Sequence, residues 1–314
     1  MLRSGFITAV LAASAAACLA VLGGCGQYSP AYLKPLSTKT RALIAEKGMT
    51  EDAPILIRVF KAESELEVWK QRADGHFYHL KTYPICSYSG GLGPKIKQGD
   101  KQAPEGFYLV AMDQLNPRSK YYLSFDLGFP NAFDRAYGRT GANLMIHGDC
   151  TSSGCYAMTD GVMEEIFTLV REALVGGQDN IQVHAFPFRM TAANLASQEK
   201  HEHFAYWQNL KEGYDYFEAT KLEPKITVCE KRYLINAVFE DPAARYSASS
   251  KCPRYKKGPI VAFNPLPKPS SAQVAATTKP LGSVLNLKFG PPKPAYTAFT
   301  LGPATPDLPA VKKK

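Results

Sequence analysis

The residues best equipped for chemistry are gathered in IHGDCTSSGCYAMTD, residues 146–160, where His147, Ser152, Ser153, Gly154 and Cys155 follow one another closely. Cysteine is a nucleophile as thiolate, and near neutral pH it needs a base or a positive field to reach that state. His147 lies eight residues upstream of Cys155, so a loop that folds back brings imidazole and sulfur into hydrogen-bonding range. The backbone N–H groups of Ser152, Ser153 and Gly154 then gather near the sulfur, as stabilising an oxyanion requires. Gly154 permits a tight turn before the nucleophile. Two other uses of these residues stand beside catalysis: a buried structural cysteine pair, or a metal site. The three nearby ligands match no zinc spacing, and no metal is expected.

A loop of this kind needs rigid elements on both sides. PILIRVF (54–60) and ELEVWKQ (65–71) read as strands around a short turn, and GHFYHLKTYPI (75–85) as a third. SYSGGLGPKIKQGDKQAPEG holds five glycines and two prolines and reads as a loop. EGFYLVAM (105–112) and KYYLSFDLG (120–128) return to strand character, and ANLMIHG is an apolar strand that delivers His147 at its end. GVMEEIFTLVREALVGG has helical periodicity, with Val162, Ile166, Leu169, Val170 and Ala173 on one face, Thr159 or Asp160 as N-cap, and Gly176-Gly177 as the stop. NIQVHAFPFRM (180–190) reads as a strand, HEHFAYWQNLKEGYDYFE as a helix, and KITVCEKRYLI as one final strand. The motif therefore sits between a buried strand and a helix N-terminus.

The ends differ from this middle. Arg3 followed by an uncharged, Ala-rich run from Phe6 to Gly24 has the form of a secretory signal. Its close, Leu22-Gly23-Gly24-Cys25, resembles the bacterial lipobox, which implies lipidation of Cys25, with residues 1–24 removed and residues 25–53 as a tether. Gly26 rather than aspartate after that cysteine resembles the sorting pattern for the outer membrane of a Gram-negative cell. Residues 251–314 carry 12 of the 23 prolines and 11 Lys/Arg against the single acid Asp307. Residues 25–250 sum to about −2, so the chain's net charge of +9 resides in this tail. A Pro-rich basic tail of that composition buries no core and is expected to be disordered. It suits anionic wall or lipid phosphates, or serves as a plain spacer. With no basic groove in the middle, a nucleic-acid partner is not expected.

Ile-His-Gly followed by Ser-x-Gly-Cys resembles the signature of the YkuD-type L,D-transpeptidases of the bacterial cell wall. GGLGPKIKQGDKQAPEGFY (90–108) and SFDLGFPNAFDRAYGRTGANLMIHG (124–148) resemble that family's segments before the site. The short gap and the CYAMTD ending are most similar to its YafK-like subgroup. The resemblance spans about residues 54–235. It implies a β-rich α+β fold, a mixed β-sandwich with one main helix beside the active site, as a catalytic domain over 54–250. It also implies Cys155 as nucleophile, His147 as general base, the Gly148 carbonyl orienting the imidazole, and the 153–155 backbone as oxyanion hole. Two positions depart from the broader family: Ser153 stands where a histidine is usual, and Ala157 where an arginine or asparagine is usual.

The chemistry so implied is acyl transfer from the meso-diaminopimelate carbonyl of a peptidoglycan stem peptide, without a cofactor. The acceptor is an amine, including the lysine of a wall-linked lipoprotein, or water, which makes the protein an amidase. A non-catalytic wall-binding lipoprotein is the rival class. Both place the protein in the periplasm, held to the membrane by its N-terminal lipid. Arg135 and Arg139 could clamp a stem-peptide carboxylate, or form surface salt bridges. Tyr88 and Ser89 could line the cleft, and Ser152 the substrate side of the loop. His184 reads as a strand histidine with a supporting role at most, and His201 and His203 as surface residues. Once Cys18, Cys25 and Cys155 are set aside, Cys86, Cys150, Cys229 and Cys252 remain. In an exported protein these favour two disulfides, Cys86–Cys150 and Cys229–Cys252, over four buried thiols.

Overall fold

The computed structural model describes residues 30–265 and 267. The signal-like start, Cys25 and most of the Pro-rich tail lie outside the described residues. The longer apolar and alternating segments become one mixed sheet: β1 (Ile55–Phe60), β2 (Glu65–Gln71), β3 (Phe77–Pro84), β5 (Gly106–Val110) and β10 (Ile181–Phe186). The strand order is β3-β2-β1-β10-β5. Only β1 and β10 run parallel, and all other neighbours are antiparallel. β1 is buried at all six positions because both its faces are covered. Ile55, Ile57 and Val59 join the larger core, while Phe60 joins a second, aromatic one.

The second sheet is made of fragments: β4 (Ser87–Tyr88), β6 (Leu115–Asn116), β7 (Ser124–Asp126), β8 (Met145–His147) and β9 (Tyr156–Ala157). Its order is β4-β9-β8-β7-β6, again with one parallel pair, β8 and β9. The overall class is mixed α+β with two five-stranded mixed sheets, as the sequence led us to expect in outline.

Among the described residues, five α-helices complete the frame: α1 (Thr38–Glu46), α2 (Ala132–Ala136), α3 (Asp160–Val175), α4 (Ala192–Ala196) and α5 (Phe204–Thr220). α3 starts at N-cap Thr159 and buries Ile166, Phe167, Leu169, Val170 and Ala173. It packs against β1 of the first sheet and β7 and β8 of the second, so one helix ties the two sheets together. α5 is as long as α3, and its Phe217 and Tyr214 lie over Arg58 of β1 on the opposite face. α5 is the helix expected over HEHFAYWQNLKEGYDYFE, and it covers the sheet's other side.

Three boundaries differ from the sequence reading. Residues 30–53 are not a tether along their whole length. Leu36, Ile44 and Met49 are buried in the larger core, and Arg171 of α3 donates to the Tyr32 and Lys34 carbonyls. KITVCEKRYLI is a hairpin of β11 (Ile226–Cys229) and β12 (Arg232–Ile235), not one strand. Its turn residues Glu230 and Lys231 both have positive φ, 50° and 55°. That conformation is normally announced by Asn-Gly, and Glu-Lys gives no such signal. Finally, β13 (Ala237–Phe239) pairs with β14 (Tyr255–Lys257), so the fold runs past residue 250. The Cys229–Cys252 disulfide closes that corner, with Cα atoms 5.4 Å apart. Among the described residues, no helix is long and apolar enough to cross a membrane.

Candidate active site

His147 ends β8 and Cys155 immediately precedes β9, so the parallel pairing decides their relation. Ile146 lies opposite Tyr156 and His147 opposite Ala157. Side chains alternate along a strand, so Cys155, two residues before Ala157, shares the face that carries His147. From strand spacing and rise, their backbones are roughly 8 Å apart along the diagonal. The Cys155 Sγ accepts from the Met145 amide at 3.4 Å and donates to the Asn143 carbonyl at 3.7 Å, which fixes the sulfur beside the edge of β8.

The imidazole is oriented by its own neighbour. Its Nδ1–H donates to the Gly148 carbonyl at 2.5 Å, which leaves Nε2 as the free acceptor. Tyr121, half exposed, lays its ring over the imidazole at 4.8 Å between centroids, and its carbonyl accepts from the Gly148 amide. Burial lowers the His147 pKa, against the opposing effect of the Gly148 hydrogen bond. The ring is therefore neutral and basic at neutral pH. Burial also raises the Cys155 pKa. The Met145 amide and Lys95 pull it down, while Asp126 pushes it up. Asp126 is itself raised to about 6 by burial, opposed by the Gly128 amide. Both shifts favour the uncharged forms, a thiol at Cys155 and a neutral imidazole at His147.

The loop between the two strands is pinned at several points. The Cys150 amide donates to the Met158 carbonyl, the Met158 amide to the His147 carbonyl, and the Asp149 amide to the Asp160 carboxylate at the start of α3. Cys150 is bonded to Cys86, with Cα atoms 5.3 Å apart, and the Cys86 amide donates to the Ala157 carbonyl. Cys155 is the one free cysteine among the described residues. Ser152 Oγ donates to the Cys155 carbonyl at 2.7 Å, closing the turn from within. Gly154 has φ +114°, a conformation a side chain would strain, immediately before the thiol.

Cys155 opens onto a cleft of about 180 Å³ whose lining includes Ser153, Asn143, Lys95, Gln98 and Lys101. Three of these come from the glycine-rich stretch that sequence reading left as a plain loop. Its base is anchored inside the protein. Lys61, at the end of β1, donates to the Gly93 and Ala103 carbonyls and pairs with Glu105 at 3.1 Å, with both charged side chains fully buried. Glu105 also accepts from the Gly93 amide and from Trp207 Nε1. Gly93 has φ +117°, and a Cβ there would lie 2.4 Å from the His203 ring.

Several expected site residues fall elsewhere. Arg139 is buried and committed to Asp134 at 2.7 Å, and Arg135 donates to the Pro130 carbonyl; neither lines the cleft. The reason is α2, whose N-cap Asn131 and Asp134 form a capping box that places the acid against Arg139. Tyr88 pairs with Tyr156 in β4, its ring set against the larger core, and Ser152 is used inside the loop rather than in the cleft. His184 lies fully buried in β10 of the other sheet, bonded to Gln182. His201 and His203 are half-buried and pack on Trp207 rather than standing on the surface. No group of three or more metal-ligating side chains occurs among the described residues. Sequence reasoning missed Tyr121, Lys95 and Lys101. For the lysines the signal was present, as the charge run PKIKQGDK within the loop.

The thiol and the imidazole thus stand at adjacent parallel strands beside an open cleft, and comparison with known proteins supplies the family. The chain is 49% identical over 185 residues to the protein named "Putative L,D-transpeptidase YafK" of Escherichia coli K12, covering 59% of this chain and 74% of that one. The O157:H7 strain's protein of the same name matches equally. The chain belongs to the YafK family. No family model matches it. Among solved structures, the helical cell shape determining protein Pgp2 from Campylobacter jejuni is 21% identical, with a TM-score of 0.35 over 48% of this chain and 55% of that one. Bd1075 of Bdellovibrio bacteriovorus is 19% identical, with a TM-score of 0.33 over 60% and 62%.

Proposed function

We propose that this protein is a cell-wall enzyme of the L,D-transpeptidase type that forms an acyl-enzyme on Cys155. The observation that carries the reading is the placement of His147 and Cys155 on one face of adjacent parallel strands, with Nε2 left free by the Gly148 carbonyl. Nε2 takes the thiol proton as sulfur attacks the carbonyl on the L-centre of meso-diaminopimelate in a stem peptide. Backbone N–H groups of residues 153–155 hold the oxyanion. Collapse breaks the C–N bond, and the leaving amine takes the proton from His147. The thioester is then attacked by an amine, with His147 again accepting a proton, and the thiol is restored. Attack by water instead makes the same site an amidase acting on wall-linked lipoprotein. The YafK relationship supports peptidoglycan as substrate and the periplasm as its place of action; for Cys25 as the lipid attachment point, the support is the lipobox-like Leu22-Gly23-Gly24-Cys25 alone.

The test is incubation of the mature protein with purified sacculi, followed by analysis of muropeptides and released proteins. New 3–3 dimers or protein-linked muropeptides indicate transfer, and cleaved stems or freed lipoprotein indicate hydrolysis. If the products from a Cys155→Ala variant match those of the parent, the reading is wrong and a non-catalytic binding role takes its place.

A further inference from the structure

The cleft beside Cys155 has a lining whose charge the acyl-transfer chemistry does not use. Lys95 is only 4% exposed, yet it lines the cleft together with Cys155. It is held there by Asp100, with which it pairs, and by the Lys97 carbonyl at 3.1 Å. An ammonium has three donors, and these two contacts leave one over beside the cleft that Lys95 lines. Asp100 is a fixture of the loop. Burial alone would raise its pKa, but Lys95 and the amides of Lys97, Gln102 and Ile96 hold it down at about 2. Its role is to aim the lysine. Lys101, exposed on the same wall, adds a second positive charge, and the cleft-lining residues include no acid. Gln98 and Asn143 complete a polar rim.

We propose that this wall is a carboxylate-recognition subsite on the leaving-group side of the bond that Cys155 attacks, with Lys95 and Lys101 as its specificity-determining residues. The proposal rests on the acyl-transfer reading for its placement relative to the bond. A buried ammonium fixed by a permanent anion is set in advance to accept a carboxylate, and desolvation strengthens that contact relative to one made in water. Two leaving groups present this chemistry. A C-terminal D-amino acid carries its carboxylate close to the attacked carbon. A C-terminal lysine linked through its ε-amine carries it a side chain's length away. The subsite therefore selects donors whose departing residue is the free end of a chain.

Binding and chemistry separate cleanly in the test. The full mature protein carrying Cys155→Ala is titrated with synthetic stem tetrapeptide ending in D-alanine, with the ε-linked lysine analogue, and with the C-terminal carboxamide of each. The free acid of at least one pair should bind about tenfold tighter than its amide. That difference should vanish in Lys95→Met and shrink in Lys101→Met. Lys101 is exposed, so its variant remains informative if the buried lysine proves necessary for folding. Whichever pair shows the difference identifies the leaving group. Equal binding of acid and amide in both pairs, no binding of either acid, or a difference indifferent to both lysines overturns the proposal. In parallel, parent protein is incubated with the same peptides and its mass is read for a thioester. A missing thioester with the binding difference intact would sink the acyl-transfer reading and leave the subsite standing.

Discussion

The two sheets contain the same number of strands and the same single parallel pair, yet they are held together by different means. The strands of the first are mostly five to eight residues long, with ladders continuous enough to carry their own register. Those of the second are two or three residues long and cannot. Their place is fixed from outside, by α3, by the Cys86–Cys150 disulfide and by side-chain contacts such as Asp160 to the Asp149 amide. The thiol and imidazole are on the second. Short strands leave the loops between them room to carry chemistry, at the cost of depending on neighbours for precision. The first sheet is a support, and the second is a mount.

The comparison can be broken by experiment. Cys155→Ala should reduce turnover at least about 10³-fold with an unchanged melting temperature; a lowered melting temperature would mean that the thiol is structural. Lys61→Met leaves Glu105 buried and unpaired, for which a loss of about 3–5 kcal/mol is expected. Denaturant unfolding reads that loss, and adding Glu105→Gln should restore part of it. Replacing Cys86 and Cys150 together by serine should cost about 2–4 kcal/mol. Activity should fall in the fraction that remains folded, because the catalytic loop loses its staple. Ile57→Val in β1 should cost about 0.5–1.5 kcal/mol and leave the activity of folded molecules untouched. A fall in that activity would mean the first sheet does more than support. The smallest effect is a shift in pH dependence. Burial favours neutral His147, so the base stays deprotonated below the ordinary histidine value of about 6.5. The acid limb of kcat/KM should lie on the acidic side of that value. Tyr121→Ala admits water to the ring and should move the limb upward.

Legibility in the sequence followed the same division. β1, β2 and β10 were readable because long apolar or alternating runs have only a few ways to be buried. β4, β6 and β9 have two residues each, too few for any period to register. The strand that ends at His147 was readable, whereas the two-residue β9 after Cys155 and its parallel pairing with β8 were not. Arg135 and Arg139 misled because a positive charge near a motif looks the same whether it faces substrate or a partner. Asn131 and Asp134 were the residues that decided it, since a capped helix put an acid where Arg139 could reach. Lys95 was passed over because a lysine in a glycine-rich loop reads as exposed. Its burial depends on Asp100 five residues later, a contact no periodicity reports.

Five cysteines lie in the described part of the chain, four joined and one left reduced, and the reduced one stands five residues from a joined one. In the oxidising compartment that the proposed function implies, Cys155 would be a rival of Cys150 for Cys86. On the proposed mechanism, a molecule that closed the wrong bridge would have its nucleophile consumed. The active fraction expected of a preparation would then depend on how its thiols were oxidised, and a thiol titration specific for Cys155 would count the competent molecules.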